Sequence, residues 1–129
     1  VKPPYGRVTA IDMNSGDHLW MIANADTPDN IKNHRLLEGI DIPRTGIPTR
    51  AGVLLTKELL FIAEGTGGVG ASPIFRAVDK ATGEIIAEID LPANQGGIPF
   101  TYEADGKQYV AMFVTSGSSA AELVAYALP

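Results

Sequence analysis

One short pattern occurs twice in this 129-residue chain and constrains its fold more than any other feature. Residues 10–20 align with residues 77–87, and both segments read Ala-x-Asp-x-x-(Ser/Thr)-Gly. The small Ala lets a neighbouring backbone approach, the Asp carboxylate can accept backbone N–H groups across a turn, and the Gly supplies a positive φ. Each copy therefore predicts a strand, a tight turn and a second strand. Trp20, which ends the first copy, is expected to be a large buried anchor between adjacent sheets.

The spacing of the two copies predicts the architecture. They lie 67 residues apart, and 42 residues remain once the polar segment 24–48 is set aside as an insertion. A period of about 40–45 residues is typical of one four-stranded propeller blade. We therefore expect an all-β chain that forms a partial β-propeller of antiparallel four-stranded blades, about two blades in all, as a single domain over residues 1–129.

Short apolar segments with a period near two, bounded by Gly, Pro, Asn and Asp, predict the strands. Nine are expected, at residues 7–12, 18–22, 52–56, 59–64, 75–79, 85–91, 100–103, 108–115 and 123–128. They divide into a half blade (7–22), a complete blade (52–91) and three strands of a last blade (100–128). The insertion 24–48 is rich in turn residues, with a short helical piece expected around 29–37, and a loop of this length is usually functional or inserted.

Composition and charge exclude several classes of function. The net charge is −5, and the Lys and Arg residues are scattered along the chain, which argues against nucleic acid or an anionic membrane surface as the main partner. Without cysteine the chain has no disulfide and no thiolate metal site. Neither of its two histidines has a nearby second histidine in the sequence, so no zinc site is expected.

Taken together, these motifs resemble the quinoprotein dehydrogenases, which are eight-bladed propellers that carry pyrroloquinoline quinone (PQQ). The repeated pattern resembles the tryptophan-docking motif of that family. The last segments of the chain resemble its closing blade in order and spacing, at residues 91–102, 106–110 and 124–129. Residues 2–7 and 26–28, with Asn33 and His34, are similar to the membrane glucose and quinate dehydrogenase branch.

The resemblance implies an activity and its cofactors. Full-length members oxidise a sugar or polyol hydroxyl by hydride transfer to PQQ, which a calcium or magnesium ion polarises, and they pass electrons to a quinone or a cytochrome. In the family that the chain resembles, the catalytic base, the metal ligands and the lysine that contacts the cofactor lie upstream of this segment. We therefore assign no catalytic residue and no metal ligand here, and expect the isolated chain to be inactive and without a tightly bound cofactor. The resemblance also implies a periplasmic location, the rest of the propeller as partner, and Val1 as a cut inside a larger enzyme.

Contact with the rim of the cofactor is the role that the resemblance leaves for this segment. The candidates are Gly67, Gly68, Ile74, Gly96, Gly97, Gly117 and Ser118. Loops such as 65–70 ring the central axis in the resembling family. Ile74 stands where relatives often carry an aromatic residue beside the cofactor, and residues 115–119 occupy the position of a usual glycine pair.

Several patterns have a structural interpretation that we favour over a functional one. Residues 65–70 match G-x-G-x-x-G, but Pro73 and a strand follow where a dinucleotide site needs a helix N-terminus. Asp12 and Asp79 are expected to accept turn hydrogen bonds rather than to act as acids. The polar residues of the insertion fail the spacing of a calcium loop and are expected to be solvated: Asn24, Asp26, Asp29, Asn30 and His34. The residues that flank the complete blade are read as surface charges more readily than as a substrate mouth: Arg44, Thr45 and Arg50.

A second hypothesis is a cofactor-free β-propeller that serves as a scaffold or assembly module. Ala87 favours it, because it stands where the second copy of the motif should have Trp, so that the second docking contact is lost or replaced by Ile85 and Ile86. Ile74 favours it too, whereas the resemblance of residues 2–7, Asn33 and His34 to the enzyme branch weighs against it. In either case the strands at 7–12 and 123–128 are expected to have unpaired edges, and we expect a homo-oligomer that pairs these edges.

Overall fold

The computed structural model describes residues 2–68, 70–116 and 120–128, and antiparallel strands make up most of them. Within these residues the strands number ten: β1 (Arg7–Ile11), β2 (His18–Ala23), β3 (Val53–Leu55), β4 (Leu59–Ala63), β5 (Ile74–Asp79), β6 (Ile85–Asp90), β7 (Asn94–Gln95), β8 (Phe100–Ala104), β9 (Lys107–Thr115) and β10 (Glu122–Ala127). A short helix α1 (Asp29–Lys32) and a 3-10 turn (Arg35–Leu37) lie where a helical piece was expected. The all-β class and the nine predicted strands are confirmed, with ends that differ by at most one residue.

The strands form three antiparallel sheets. The first is the hairpin of β1 and β2, and the second runs in sequence order from β3 to β6. In the third sheet β9 is central, with β10 on one edge and both β7 and β8 on the other. The three strands predicted over residues 100–128 are β8, β9 and β10, and β7 is an additional strand of this sheet that lies before that range. β7 is only two residues long, in a segment rich in Gly and Pro, and its polar residues carry no alternating pattern.

The three sheets stack, and the second sheet is covered on both faces. Because side chains alternate along a strand, β4 serves two cores. Its residues Leu60 and Ile62 pack with Val78 against the first hairpin. Its residues Phe61 and Ala63 pack with Phe75 of β5 against β9 of the third sheet. The residues of β9 in that core are Val110, Met112 and Val114.

Trp20 of β2 joins the first sheet to the second. Its indole Nε1 donates a hydrogen bond of 2.9 Å to the backbone oxygen of Lys80, and its ring packs against the core of Leu60 and Ile62. The docking role predicted for Trp20 is confirmed. The side chain is half-buried rather than fully buried.

The turns of the two repeat copies have the same hydrogen bonds. The Oδ1 atom of Asp12 accepts the backbone N–H groups of the second and third residues that follow it, at 2.7 and 3.3 Å. Asp79 accepts the equivalent pair at 2.8 Å each, and also the hydroxyl of Thr82 at 3.0 Å. The backbone and then the hydroxyl of Thr82, with the backbone N–H of Ala81, hold the pKa of Asp79 below its ordinary value of 3.8. The structural interpretation of both aspartates is confirmed.

Candidate functional site

An open cleft of about 1030 Å³ lies between the N-terminal segment, the insertion and the loop that joins β4 to β5. The three walls of this glycine-loop cleft are Pro4 with Tyr5, residues 28–31 with Ile47 and Pro48, and the glycines Gly67, Gly68 and Gly70. Most of these residues are apolar or lack a side chain, and Tyr5, Asp29 and Asn30 add polar groups. A concave, largely apolar surface with a few polar groups is the usual form of a small-molecule site.

The insertion wall is fixed by a close crossing of two backbone segments. A Cβ atom on Gly46 would lie 2.1 Å from the backbone oxygen of Gly6, so only glycine fits there, with φ of +68°. The segment 45–47, here called the returning arm, is the buried end of the insertion. Tyr5 N donates to the oxygen of Thr45 at 2.6 Å, and Ile47 N donates to the oxygen of Asn24 at 2.9 Å. The arm therefore belongs to the folded core rather than to a solvated loop.

Five polar residues of the insertion were expected to be solvated, and this prediction is wrong for Asn24. Asn24 is 6% exposed, and its side-chain amide donates a hydrogen bond to the oxygen of Ala63 at the end of β4. The residue is buried because the backbone crossing lies directly on top of it. The other four residues of the set are exposed: Asp26, Asp29, Asn30 and His34.

The glycine-rich wall begins and ends at hydrogen-bonded positions. At its base, Glu64 N donates to the oxygen of Ile74, and the Glu64 Oε2 atom accepts the backbone N–H of Ser72 at 2.6 Å. Farther out, Arg50 N donates to the oxygen of Thr66 at 2.8 Å. Strand β5 follows the loop, as expected, and this is not the helix N-terminus that a dinucleotide site requires.

The residues predicted for the cofactor rim do not lie in one place. Gly67 and Gly68 line the glycine-loop cleft together. Ile74 starts β5 as a half-buried residue outside the lining of the cleft. Gly96 and Gly97 instead lie at the end of β9, where Gly96 N donates to the oxygen of Phe113 at 2.8 Å. The two remaining candidates, Gly117 and Ser118, lie outside the described residues. A shared rim role for these residues stays a prediction.

Two of the three residues read as surface charges are partly or fully enclosed. Thr45 is 2% exposed, since it belongs to the buried returning arm. Arg44 is half-buried and makes ion pairs with Asp26 and Glu88. Arg50 is exposed, as expected, and its side chain lies beside Gly67 of the glycine-rich wall.

Sequence reasoning missed a buried glutamine that joins the second and third sheets. Gln95 of β7 has no exposed surface. Its Oε1 accepts the backbone N–H of Ala63 at 3.0 Å, and its Nε2 donates to the oxygens of Gly52 at 2.9 Å and Gly97 at 2.6 Å. With Asn24 on the oxygen of Ala63, both backbone groups at the end of β4 have side-chain partners.

Sequence reasoning also missed a line of five alternating charges that joins the second sheet to the insertion. Arg76 is 3% exposed, and its Nη2 lies 2.7 Å from Oε1 of Glu64, which is 1% exposed. Arg76 Nε donates to Oε1 of Glu88. That same oxygen lies 3.8 Å from Nη2 of Arg44, whose Nε lies 3.4 Å from Oδ1 of Asp26. The one signal in the sequence is a charged residue inside an apolar strand, at Arg76 between Phe75 and Ala77.

The lining of the cleft does not fit the carboxylates of PQQ. Carboxylates are held by cationic side chains and N–H donors, but the described lining of the cleft has the acidic Asp29 and no Lys or Arg, and the Arg50 side chain beside Gly67 lies outside that lining. Among the residues that the structure describes, no three His, Cys, Asp or Glu side chains come together as a metal site. A neutral molecule with hydroxyl groups suits Tyr5, Asp29 and Asn30 better. The helices in the described part of the chain are all too short or too polar to cross a membrane.

Known proteins match this chain along nearly all of its length. The family described as PQQ, the β-propeller domain of glucose, ethanol and alcohol dehydrogenases, matches residues 1–110. The glycerol dehydrogenase large subunit of Gluconobacter thailandicus is 35% identical over 140 residues, which are 99% of this chain and 17% of that protein. The probable quinate dehydrogenase (quinone) of Xanthomonas campestris pv. juglandis is 32% identical, and the quinoprotein glucose dehydrogenase of Gluconobacter oxydans (strain 621H) is 29% identical. In both, the match covers 98% of this chain and 16% of the relative.

Proposed function

Because this chain belongs to the family of PQQ β-propeller domains of glucose, ethanol and alcohol dehydrogenases, we propose that it is part of a dehydrogenase that oxidises a sugar or a polyol. The proposed reaction moves a hydride from an alcohol carbon to PQQ, and this cofactor supplies the redox chemistry when it is bound. The observation that carries the proposal is the family match over residues 1–110. The hydrogen bond from Trp20 of the first sheet to Lys80 of the second supports it, because it joins the two sheets as neighbouring blades would be joined.

We propose that the three sheets are consecutive blades of a larger propeller. Residues 7–22 would be half a blade, 52–91 a complete blade and 100–128 most of a last blade, with 24–48 inserted. The cover on both faces of the second sheet supports this order. The chain spans 16–17% of the length of the relatives it matches, which supports the rest of a propeller as its partner.

We propose that this chain contacts the rim of PQQ and that other parts of the propeller bind the carboxylates of PQQ. Gly67 and Gly68 are the rim candidates that the cleft supports, since they line it without side chains. The catalytic base and the ligands of a calcium or magnesium ion are proposed to lie in other parts of the propeller, because this chain spans only 16–17% of the length of its relatives. No step of the reaction is assigned to a residue of this chain.

The substrate is proposed to be a neutral molecule with several hydroxyl groups, bound beside the glycine-rich wall. The hydroxyl of Tyr5, the carboxylate of Asp29 and the amide of Asn30 can exchange hydrogen bonds with such hydroxyls. The apolar side chains of Ile31 and Ile47 can cover its carbon atoms. The similarity to a glycerol dehydrogenase supports a polyol, and the name of a glucose dehydrogenase relative supports glucose, both of which are neutral. The quinate named for another relative carries a carboxylate and fits this lining less well.

The setting of the enzyme is proposed from its family. Electrons would pass to a quinone or a cytochrome, and the name of the quinate dehydrogenase (quinone) relative supports a quinone. The periplasm is the proposed location.

A scaffold without cofactor is a second candidate, and one observation favours it. Ala87 and Ile86 of β6 are exposed, which supports loss of the second docking contact, whereas Ile85 is half-buried against the core of Leu60 and Ile62. A propeller that had given up cofactor binding could tolerate such a loss in its blade stack.

Reconstitution of the whole protein that contains this chain separates the two candidates. The protein is mixed with PQQ and calcium or magnesium, and dye-linked oxidation of glycerol, glucose and quinate is measured. Metal-dependent and PQQ-dependent dye reduction with one of these substrates supports the dehydrogenase, and its absence with all of them supports the scaffold. The 129-residue chain alone is expected to be inactive in the same assay. Activity of the isolated chain would overturn the placement of the catalytic groups elsewhere.

A further inference from the structure

We propose that the five alternating charges Asp26, Arg44, Glu88, Arg76 and Glu64, here called the charge chain, hold two walls of the glycine-loop cleft at a fixed separation. In this proposal Arg76 is the central positioning residue. The fixed separation of the walls can be tested without a substrate, whereas its effect on substrate binding rests on the proposed function.

The inner end of the charge chain fixes the glycine-rich wall. Both oxygens of Glu64 are used: Oε1 pairs with Arg76 at 2.7 Å, and Oε2 accepts the backbone N–H of Ser72 at 2.6 Å. Glu64 and Ser72 lie at the two ends of the loop that carries Gly67 and Gly68. One carboxylate therefore ties both ends of this wall to β5.

The outer end of the charge chain fixes the insertion wall. Glu88 of β6 accepts a hydrogen bond from Arg76 and lies 3.8 Å from Arg44 on the same oxygen. Arg44 directly precedes the buried arm that ends at Ile47, and it pairs with Asp26, two residues before Pro28. The residues on both sides of the insertion wall are thus connected to the second sheet.

A buried charge is costly unless it is paired, and many buried ion pairs add little net stability. Arg76 is held in place by two carboxylate partners, through its Nε and Nη2 atoms. Its Nη1 atom is buried and has no hydrogen-bond partner among the residues that the structure describes. The planar guanidinium can bind Glu64 and Glu88 at once, whereas the single ammonium of a lysine cannot reproduce that fork. Burial of the Arg76 and Glu64 charges costs desolvation free energy. A role in positioning the two walls explains this burial better than a contribution to stability.

The test uses hydrogen–deuterium exchange of the whole protein, read on three peptide regions: the glycine-rich loop 64–73, the insertion 25–44, and the first hairpin 7–23 as an internal reference. Glu88→Gln changes a residue that is 45% exposed, so the variant is expected to fold. We expect about fivefold faster exchange in the insertion and little change in the loop or hairpin. Arg76→Lys is expected to speed exchange in both walls by a similar factor. Glu103→Gln, an exposed charge on β8, is the matched control and should leave all three regions unchanged.

The exchange data decide the proposal. Equal acceleration of the hairpin and the two walls, or no change in the insertion of Glu88→Gln, would overturn it. Kinetics of the PQQ-loaded protein test the functional consequence separately: Glu88→Gln should raise KM for the polyol about fivefold with kcat changed less than about twofold. If the walls respond in exchange but no variant or parent oxidises a polyol, the charge chain stands and the proposed function fails. If the parent is active and the walls do not respond, the charge chain is overturned and the proposed function stands.

Discussion

The ring of Trp20 lies directly over Gly83, so closely that a Cβ atom at position 83 would sit 2.8 Å from the ring carbons Cδ2 and Cε3. Trp20 ends the first copy of the repeat, and Gly83 is the turn glycine of the second copy. The glycine thus has two tasks, since its φ is +78° and its bare Cα is the surface on which the indole rests. The repeat is a device by which one sheet binds the next.

Gly83→Ala is therefore expected to destabilise the fold more than the same change at the equivalent turn of the first copy. Gly16 has nearly the same φ, +79°, but nothing lies within 4 Å of its Cβ position. Gly16→Ala should cost about 1 kcal/mol in the free energy of unfolding from backbone strain alone. Gly83→Ala should cost about 2 kcal/mol more, because the methyl group displaces Trp20. Urea unfolding of both variants measures the difference, and equal losses would show that the indole contact carries no energy.

Gln95→Leu is expected to cost about 3 kcal/mol in the free energy of unfolding. The leucine would leave the N–H of Ala63 and the oxygens of Gly52 and Gly97 without their side-chain partner, and each unmet buried group costs roughly 1–3 kcal/mol. Gln108→Leu is the control, because Gln108 is exposed and its side-chain amide donates to the hydroxyl of Thr101, which is exposed as well. That change should cost less than about 0.5 kcal/mol. Similar losses for the two variants would contradict a bridging role for Gln95.

The repeat and the strands could be read from the sequence because each depends on neighbours in the chain. The turn around Asp79 needs only the next three residues, and the alternation of β4 needs only five. The docking of Trp20 was also predictable, since a large aromatic residue follows a turn pattern that occurs twice. Local rules were sufficient for these features.

The remaining features depend on contacts between distant segments. Gln95 is 32 residues from Ala63 and 43 from Gly52, and nothing in its local pattern separates it from a surface glutamine. Arg76 likewise interrupts β5 as a surface residue would, and its burial follows from Glu64 and Glu88, each 12 residues away. For the same reason, the glycines predicted for one rim divide between the cleft and the end of β9.

Thr82→Val is expected to raise the pKa of Asp79 towards 3.8 without restoring it fully. The variant removes the hydroxyl that donates to Asp79 but keeps the backbone N–H of Thr82, which is the larger cause of the lowering. Titration of the Asp79 carboxyl carbon by NMR measures the shift, with Thr101→Val as a control at a distant strand. An unchanged pKa in Thr82→Val would contradict the role of the hydroxyl.

The same carboxylate gives a pH dependence whose sign is fixed. Since the pKa of Asp79 is lower in the folded chain, the unfolded chain binds more protons between the two values. The stability that Asp79 contributes is therefore present above about pH 3.8 and is lost as the pH falls through the folded pKa. Asp79→Asn should unfold with a weaker pH dependence in that acidic range, as measured by urea midpoints at a series of pH values.

Gly46→Ala is expected to release the insertion from the core. Its Cβ would meet the oxygens of Gly6 and Asn24 at 2.1 and 2.6 Å, where backbone cannot move aside cheaply. Gly39→Ala is the matched control, because Gly39 has a similar φ of +77° and open space around its Cβ position. Limited proteolysis should cut the insertion at least about tenfold faster in Gly46→Ala than in Gly39→Ala. Equal cleavage rates would show that the crossing does not hold the insertion.

The isolated 129-residue chain is expected to self-associate through its strand edges. In the described residues β1 pairs only with β2, and β10 pairs only with β9, so each has an edge with unpaired backbone groups. Phe113 offers a control, because it is 49% exposed and lies on β9, which is the central strand of its sheet and not an edge strand. If edges pair, light scattering will show oligomers both in the parent chain and in Phe113→Lys, with added amide protection confined to β1 and β10. A monomeric parent contradicts association, and a monomeric Phe113→Lys with an oligomeric parent would assign it to the apolar face of the third sheet instead.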